Sequence, residues 1–125
     1  FKENGGSTMR ADIPPCAKPR MTRSDKWKKR QSVLKFFAFR DAVRQYSETH
    51  AIARYEFDIE FHVPMPKSWS KKKRALRNGQ PHQQRPDLDN YLKAWIDSVF
   101  EEDSLVWKVK ATKLWTDESG HIIII

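Results

Sequence analysis

From Arg54 to Val63 apolar and polar residues alternate without interruption. Tyr55, Phe57, Ile59, Phe61 and Val63 fall on one side, and Glu56, Asp58, Glu60 and His62 on the other. Side chains of a strand point to alternate faces, so this period of two predicts a half-buried strand with one wet face. Pro64 and Pro66 end it. A strand with one apolar face needs cover. The cover is legible further along: Leu88, Tyr91, Leu92, Trp95, Ile96, Val99 and Phe100 recur at spacings of three and four, the stripe of an amphipathic helix over about 89–100. These two patterns together call for a two-layer domain.

The rest of the chain fits that frame. Residues 25–48 read as a helix, with Leu34, Phe37, Ala38, Phe39, Ala42, Val43 and Tyr46 on its apolar side and Ser24 or Thr22 as N-cap. Residues 105–115 alternate again and read as a strand. Asp117–Gly120 reads as a turn, and Ile122–Ile125 as a short buried strand that forms a hairpin with the one before. Pro14, Pro15 and Pro19 break any helix near the start, so residues 1–20 are expected to be a loose arm preceding a domain over 21–125. Residues 1–8 precede Met9 and are expected to lie outside the native start. The fold class expected is α/β in the α+β sense, a small mixed sheet covered by helices.

With 125 residues and 38% hydrophobic content, the chain can bury one modest core, whose margin would benefit from oligomerisation. No apolar run is long enough to span a membrane. A single cysteine, Cys16, rules out an intrachain disulfide and fits a reducing, cytoplasmic setting.

The net charge of +8 favours a polyanionic partner. Its distribution says more than its size. Residues 9–35 carry nine Lys or Arg against two acids, and residues 61–86 carry seven against none. The sign then reverses: residues 87–103 hold six acids and one base, Lys93. A protein that only clamps phosphates has no use for an acidic block beside its basic ones, because carboxylates repel a phosphate backbone unless a cation sits between them. Metal-dependent phosphodiester chemistry needs both.

The acidic block begins with Pro86-Asp87-Leu88-Asp89-Asn90 at the junction of a long basic loop (67–85, with a helical turn near 70–77) and the helix. Residues two apart in an extended segment point the same way, so Asp87 and Asp89 can face one point. Paired carboxylates suit a hard ion such as Mg²⁺, with Mn²⁺ as the alternative. The same residues also suit plain helix capping. Lys93, four residues past Asp89, shares its helix face and could offset charge on a phosphate. A third carboxylate from Glu101-Glu102-Asp103, with Asp103 favoured, would complete the set.

The run Arg85-Pro86-Asp87-Leu88-Asp89-Asn90-Tyr91-Leu92-Lys93-Ala94, then Asp97-Ser98-Val99, then Glu102-Asp103-Ser104-Leu105-Val106, resembles the RusA family of Holliday junction resolvases. The resemblance extends over about residues 14–125. It implies a homodimer that nicks four-way DNA junctions in symmetric pairs with Mg²⁺ or Mn²⁺. By position it makes Asp87, Asp89 and Asp103 the metal-binding aspartates and Lys93 the catalytic lysine. Lys18, Arg20, Lys71, Lys72, Lys73, Arg74, Arg77 and Arg85 are the expected DNA-binding residues. A general structure-selective nuclease acting on flaps or forks would use the same residues. A non-catalytic DNA-binding module would need none of the acids.

Overall fold

A computed structural model describes residues 8–20 and 31–125 of the chain. Its elements are β1 (Met9–Ala11), α1 (Gln31–Thr49), β2 (Glu56–Pro64), α2 (Lys71–Arg77), α3 (Leu88–Val99), β3 (Lys108–Thr116) and β4 (His121–Ile124), with a 3₁₀ turn at Asp103–Leu105 before β3. The expected N-cap of α1 at Ser24 or Thr22 lies outside the described residues.

β2 follows its alternation. Phe57, Ile59 and Phe61 are buried while Glu56 and Asp58 are exposed. The buried side meets the helices: Phe36, Phe39 and Val43 of α1, and Tyr91, Ala94 and Trp95 of α3, share one core with Phe57, Ile59, Phe61, Ile122 and Ile124. The fold is thus a mixed four-stranded sheet covered by helices, as expected.

α1 turns a different side inward from the one its spacing suggests. Val33, Phe36, Phe39 and Val43 are buried, while Leu34 is 44% exposed. The apolar residues of this helix form two overlapping stripes, and contact with α3 selects between them. α3 buries Tyr91, Ala94, Trp95 and Ser98, and the Ser98 hydroxyl donates to the Ala94 carbonyl at 2.7 Å. That bond within the helix lets a polar side chain sit in the core without an orphaned donor.

The expected hairpin is corrected by the sheet order, β1-β4-β2-β3. β3 runs parallel to β2, and β4 pairs antiparallel with β2 and β1, so β2 separates the two strands that are adjacent in sequence. The composition of each strand explains the outcome. β3 carries Lys108, Lys110 and Lys113, and charged lysines suit an edge, where they discourage pairing with other chains. β4 buries Ile122 and Ile124 completely and takes an interior position.

Within the expected arm, the described residues from Met9 onward are part of the fold. Met9–Ala11 pairs with Ile122–Ile124, and Ala11 is fully buried. Pro14 and Pro15 then pack on the β3–β4 turn so closely that a Cβ at Gly120 would lie 3.1 Å from both. The Lys18 N–H donates to the Asn90 carbonyl at 3.1 Å, which ties this segment to α3. Prolines forbid helix here, but an extended chain needs none and can be held by strand pairing and packing. Among the described residues, no helix is long and apolar enough to cross a membrane.

Candidate active site

α3 starts at the site. Asp87 is its N-cap by backbone geometry, and the Asp87 carbonyl accepts from the N–H groups of Asn90 (3.1 Å) and Tyr91 (3.3 Å). Its carboxylate, however, makes no capping hydrogen bond. Asp89 follows in the first turn. Both side chains are exposed. A residue that occupied this position only to cap the helix would place its oxygen on the N2 or N3 amide. Asp87 does not, so its oxygens are available to something else.

Along the same helix face, Asp89, Lys93 and Asp97 succeed one another at intervals of four. The N-terminal segment crosses this face. The Lys18 ammonium forms a half-buried ion pair with the Asp97 carboxylate. Lys18, Pro19, Arg20, Asn90 and Lys93 line a shallow cavity of about 420 Å³ beside the start of α3. Two segments some seventy residues apart are thus brought to one place, and three cations (Lys18, Arg20, Lys93) gather at the helix end that carries Asp87 and Asp89, whose carboxylates make no ion pair among the described residues. Lys18 arrives already paired, which leaves Lys93 to present its charge outward.

Asp103 opens the 3₁₀ turn that follows α3. The turn is held by Glu102, whose carboxylate accepts from the Ser104 hydroxyl at 2.7 Å and the Ser104 N–H at 3.3 Å. The Ser104 hydroxyl keeps the Glu102 carboxyl below its ordinary pKa. Asp103 is exposed. Among the described residues, no three His, Cys, Asp or Glu side chains converge on a common point. Asp87 and Asp89 flank the first residue of α3, Leu88, so the stretch between them is helical rather than extended as the sequence suggested, and Asp103 is not gathered onto them. Three carboxylates repel one another unless a cation shares their charge. The donor set still fits a hard divalent ion, since it is all oxygen. Mg²⁺ commonly takes one or two carboxylates and fills its remaining positions with water and substrate phosphate.

Sequence reasoning missed Lys113. From the middle of β3 its ammonium donates to the Gln84 carbonyl at 2.6 Å and the Pro86 carbonyl at 2.7 Å. It therefore clamps the loop immediately before Asp87 to the sheet. His82 sits beneath the same loop. It is 3% exposed, its N–H donates to the Lys113 carbonyl at 3.0 Å, and its ring lies 4.2 Å from that of Trp115. Burial, with the nearby Lys113 charge, pushes the imidazole below its ordinary pKa, so His82 packs as a neutral ring. No local pattern marks Lys113, because its contacts span almost thirty residues.

The other expected DNA-binding residues lie around α2. Lys71, Lys72, Lys73, Arg77 and Arg85 are exposed. Arg74 is half-buried and donates to the carbonyls of Met65 (3.4 Å) and Pro66 (3.0 Å), which pins α2 to the end of β2.

A family model described as endodeoxyribonuclease RusA matches residues 12–125. The chain belongs to the RusA endodeoxyribonuclease family. The RusA match covers the N-terminal segment from Asp12, both helix faces of the site and the whole sheet except β1. A curated relative, the uncharacterized protein YqaN of Bacillus subtilis (strain 168), is 32% identical over 86 residues. That alignment covers 62% of this chain and 61% of the relative's length.

Proposed function

We propose that this protein is a metal-dependent endodeoxyribonuclease that resolves four-way DNA junctions by paired nicks, serving recombination and repair in the cytoplasm. The observation that carries the reading is the pair Asp87 and Asp89 at the start of α3, without an ion-pair partner among the described residues, at the helix end that Lys93 and Arg20 also reach, in a chain of the RusA family.

Asp87 and Asp89 would hold Mg²⁺ or Mn²⁺, with Asp103 as the third ligand from the following turn. When bound, the ion supplies Lewis-acid stabilisation of the scissile phosphate and a water that deprotonates near neutral pH. The chain's own residues do the rest. Lys93 sets positive charge beside the phosphate, where charge builds in the transition state. Lys113 holds the loop that carries Asp87, so the carboxylates stay in register with the sheet. Lys71, Lys72 and Arg77 neutralise backbone phosphates, which positions the DNA without reading its sequence.

Paired nicks need two sites, and a two-fold dimer presents them to matching strands. Trp107 (71% exposed), Leu105 (51%) and Tyr55 (46%) lie together, since the Trp107 N–H donates to the Tyr55 carbonyl at 3.1 Å. They offer apolar surface for a second copy.

The test uses a synthetic four-way junction, a flap and a linear duplex, each with Mg²⁺ and with EDTA. Symmetric Mg²⁺-dependent nicks on the junction, lost in Asp89→Asn while binding persists, are the expected result. Equal cutting of the flap would replace the resolvase by a general structure-selective nuclease. Binding without cutting, unchanged in the variant, would leave a DNA-binding module.

A further inference from the structure

Between α2 and β3 lies a recess of about 120 Å³, lined chiefly by Trp69, Lys73, Arg77, Gln83, Gln84 and Trp115. Its composition is unusual for a surface loop. The floor is aromatic: the Trp69 and Trp115 rings meet at 4.8 Å and 59°, and His82 packs on Trp115 from below. The rim is cationic and amide-bearing. The Lys73 ammonium stands 4.1 Å over the Trp69 ring. No carboxylate lines the recess. The side-chain amides of Gln83 and Gln84 have no hydrogen-bond partner among the described residues.

The walls are fixed. The Gly79 N–H donates to the Trp115 carbonyl and the Trp115 N–H to the Gln80 carbonyl, both at 2.9 Å. Gly79 takes a φ of +79°, which only glycine adopts without strain, so the chain can turn back onto β3. Arg74 holds the other end of α2 to the Met65 and Pro66 carbonyls. The recess is also next to the chemistry. Gln84 is three residues before Asp87, and its carbonyl is one of the two that Lys113 holds.

Resting on the nuclease reading above, we infer that this recess takes one unstacked DNA base beside the scissile strand, with Lys73 and Arg77 on the flanking phosphates. Each element of the recess answers one part of a nucleotide. Trp69, half-buried over the buried Trp115, offers the π-surface, and base-on-aromatic stacking tolerates any base because every base has a face. Free amides offer donor and acceptor to a base edge. The cations meet the phosphates, and Lys73 leaves the Trp69 face as it does so. A continuous duplex keeps its base faces stacked on one another and has none to give. A branch point, where stacking is interrupted, does. The recess therefore supplies a preference for branched over linear DNA that the carboxylates and lysines alone do not.

The test is a binding cycle in EDTA. Fluorescence anisotropy measures the affinity of wild type and Trp69→Leu for a four-way junction. The central nucleotides of the junction are replaced one at a time by an abasic residue. Stacking of one base on one aromatic ring corresponds to roughly 5- to 150-fold in affinity. The expected result is a weakening of that order in Trp69→Leu on the intact junction, which disappears at one abasic position. Gln83→Ala combined with Gln84→Ala removes only the groups assigned to the base edge and leaves the tryptophan pair in place, so it tests the recess even where Trp69→Leu melts early; a smaller but equally position-specific loss is expected of it. A loss equal at every abasic position, or no loss in either variant, overturns the inference and makes the tryptophan pair a structural brace for α2. Cleavage assayed in parallel with Mg²⁺ separates the two readings. Wild type that cuts junctions without base-dependent coupling refutes the recess alone, and coupling without cutting supports the recess while refuting the nuclease.

Discussion

Replacing Lys113 by methionine tests how the fold builds the site. Methionine keeps most of the stem and its packing but removes the ammonium, which donates at 2.6 and 2.7 Å to the Gln84 and Pro86 carbonyls. A hydrogen bond from a charged donor contributes about 1.5–3 kcal/mol when its partners are otherwise desolvated. Here Gln84 is exposed and Pro86 half-buried, so water replaces the lysine at one carbonyl more readily than at the other. The loss in stability should therefore be about 1.5–3 kcal/mol in all rather than twice that. In a domain of this size that lowers the melting temperature by roughly 5–12 °C.

The effect on activity should be larger than the stability loss implies. The freed segment ends at Asp87, and a misplacement of about 1 Å can cost on the order of 100-fold in rate. The assay is junction cleavage across a Mg²⁺ titration, well below the melting point, beside a thermal melt. Expected are a raised Mg²⁺ requirement and a lowered kcat, with junction binding in EDTA unchanged. Wild-type melting and wild-type Mg²⁺ dependence in Lys113→Met would refute the claim that this lysine positions the carboxylates. Normal Mg²⁺ dependence with weakened, less salt-sensitive binding would show instead that it contacts phosphate.

Three further predictions follow from individual contacts. The Lys18–Asp97 pair has side chains only 25% and 21% exposed, so a double-mutant cycle with Lys18→Met and Asp97→Asn in denaturant should give a coupling of roughly 1–2 kcal/mol, above the surface-pair range; zero coupling would mean the N-terminal segment is held by packing alone. His82 is held neutral in the fold by burial and then by Lys113, whereas the unfolded chain takes up the proton near pH 6.5. Stability should thus be constant above that pH and fall below it, as the unfolded state binds the extra proton; melts from pH 7.5 to 5 should show this slope reduced in His82→Phe, and an unchanged slope would assign it to other groups. If the dimer forms through the apolar patch, Trp107→Ser should shift light-scattering mass toward the monomer without lowering the monomer's melting temperature, since a side chain 71% exposed contributes little to its own core.

How much of this was legible beforehand depended on the range of the interaction. β2 and α3 could be read directly because their periods of two and of three to four are local consequences of backbone geometry, and each pattern reports which side is apolar. The paired aspartates, Lys93 and the reversal of charge at residue 87 are also properties of the linear chain, and they pointed to metal-assisted chemistry before any contact was known. α1 was less legible, because two apolar stripes overlap on it and only α3 determines which one is buried.

The remaining features depend on pairs of residues far apart in sequence. Only the sheet could decide that β2 stands between β3 and β4, since strand order follows which strand better tolerates an edge. Only packing against Gly120 and pairing with β4 could turn the proline-rich start into part of the domain. The placement of Lys18 and Arg20 beside Lys93, the clamp of Lys113 on the loop before Asp87, and the tryptophan recess under α2 are long-range contacts as well. The sequence by itself determined which residue types could carry the chemistry and the periods of the elements that bear them. The tertiary structure decided which of those residues meet, because loop closure and burial are settled by the whole chain and leave no local signature.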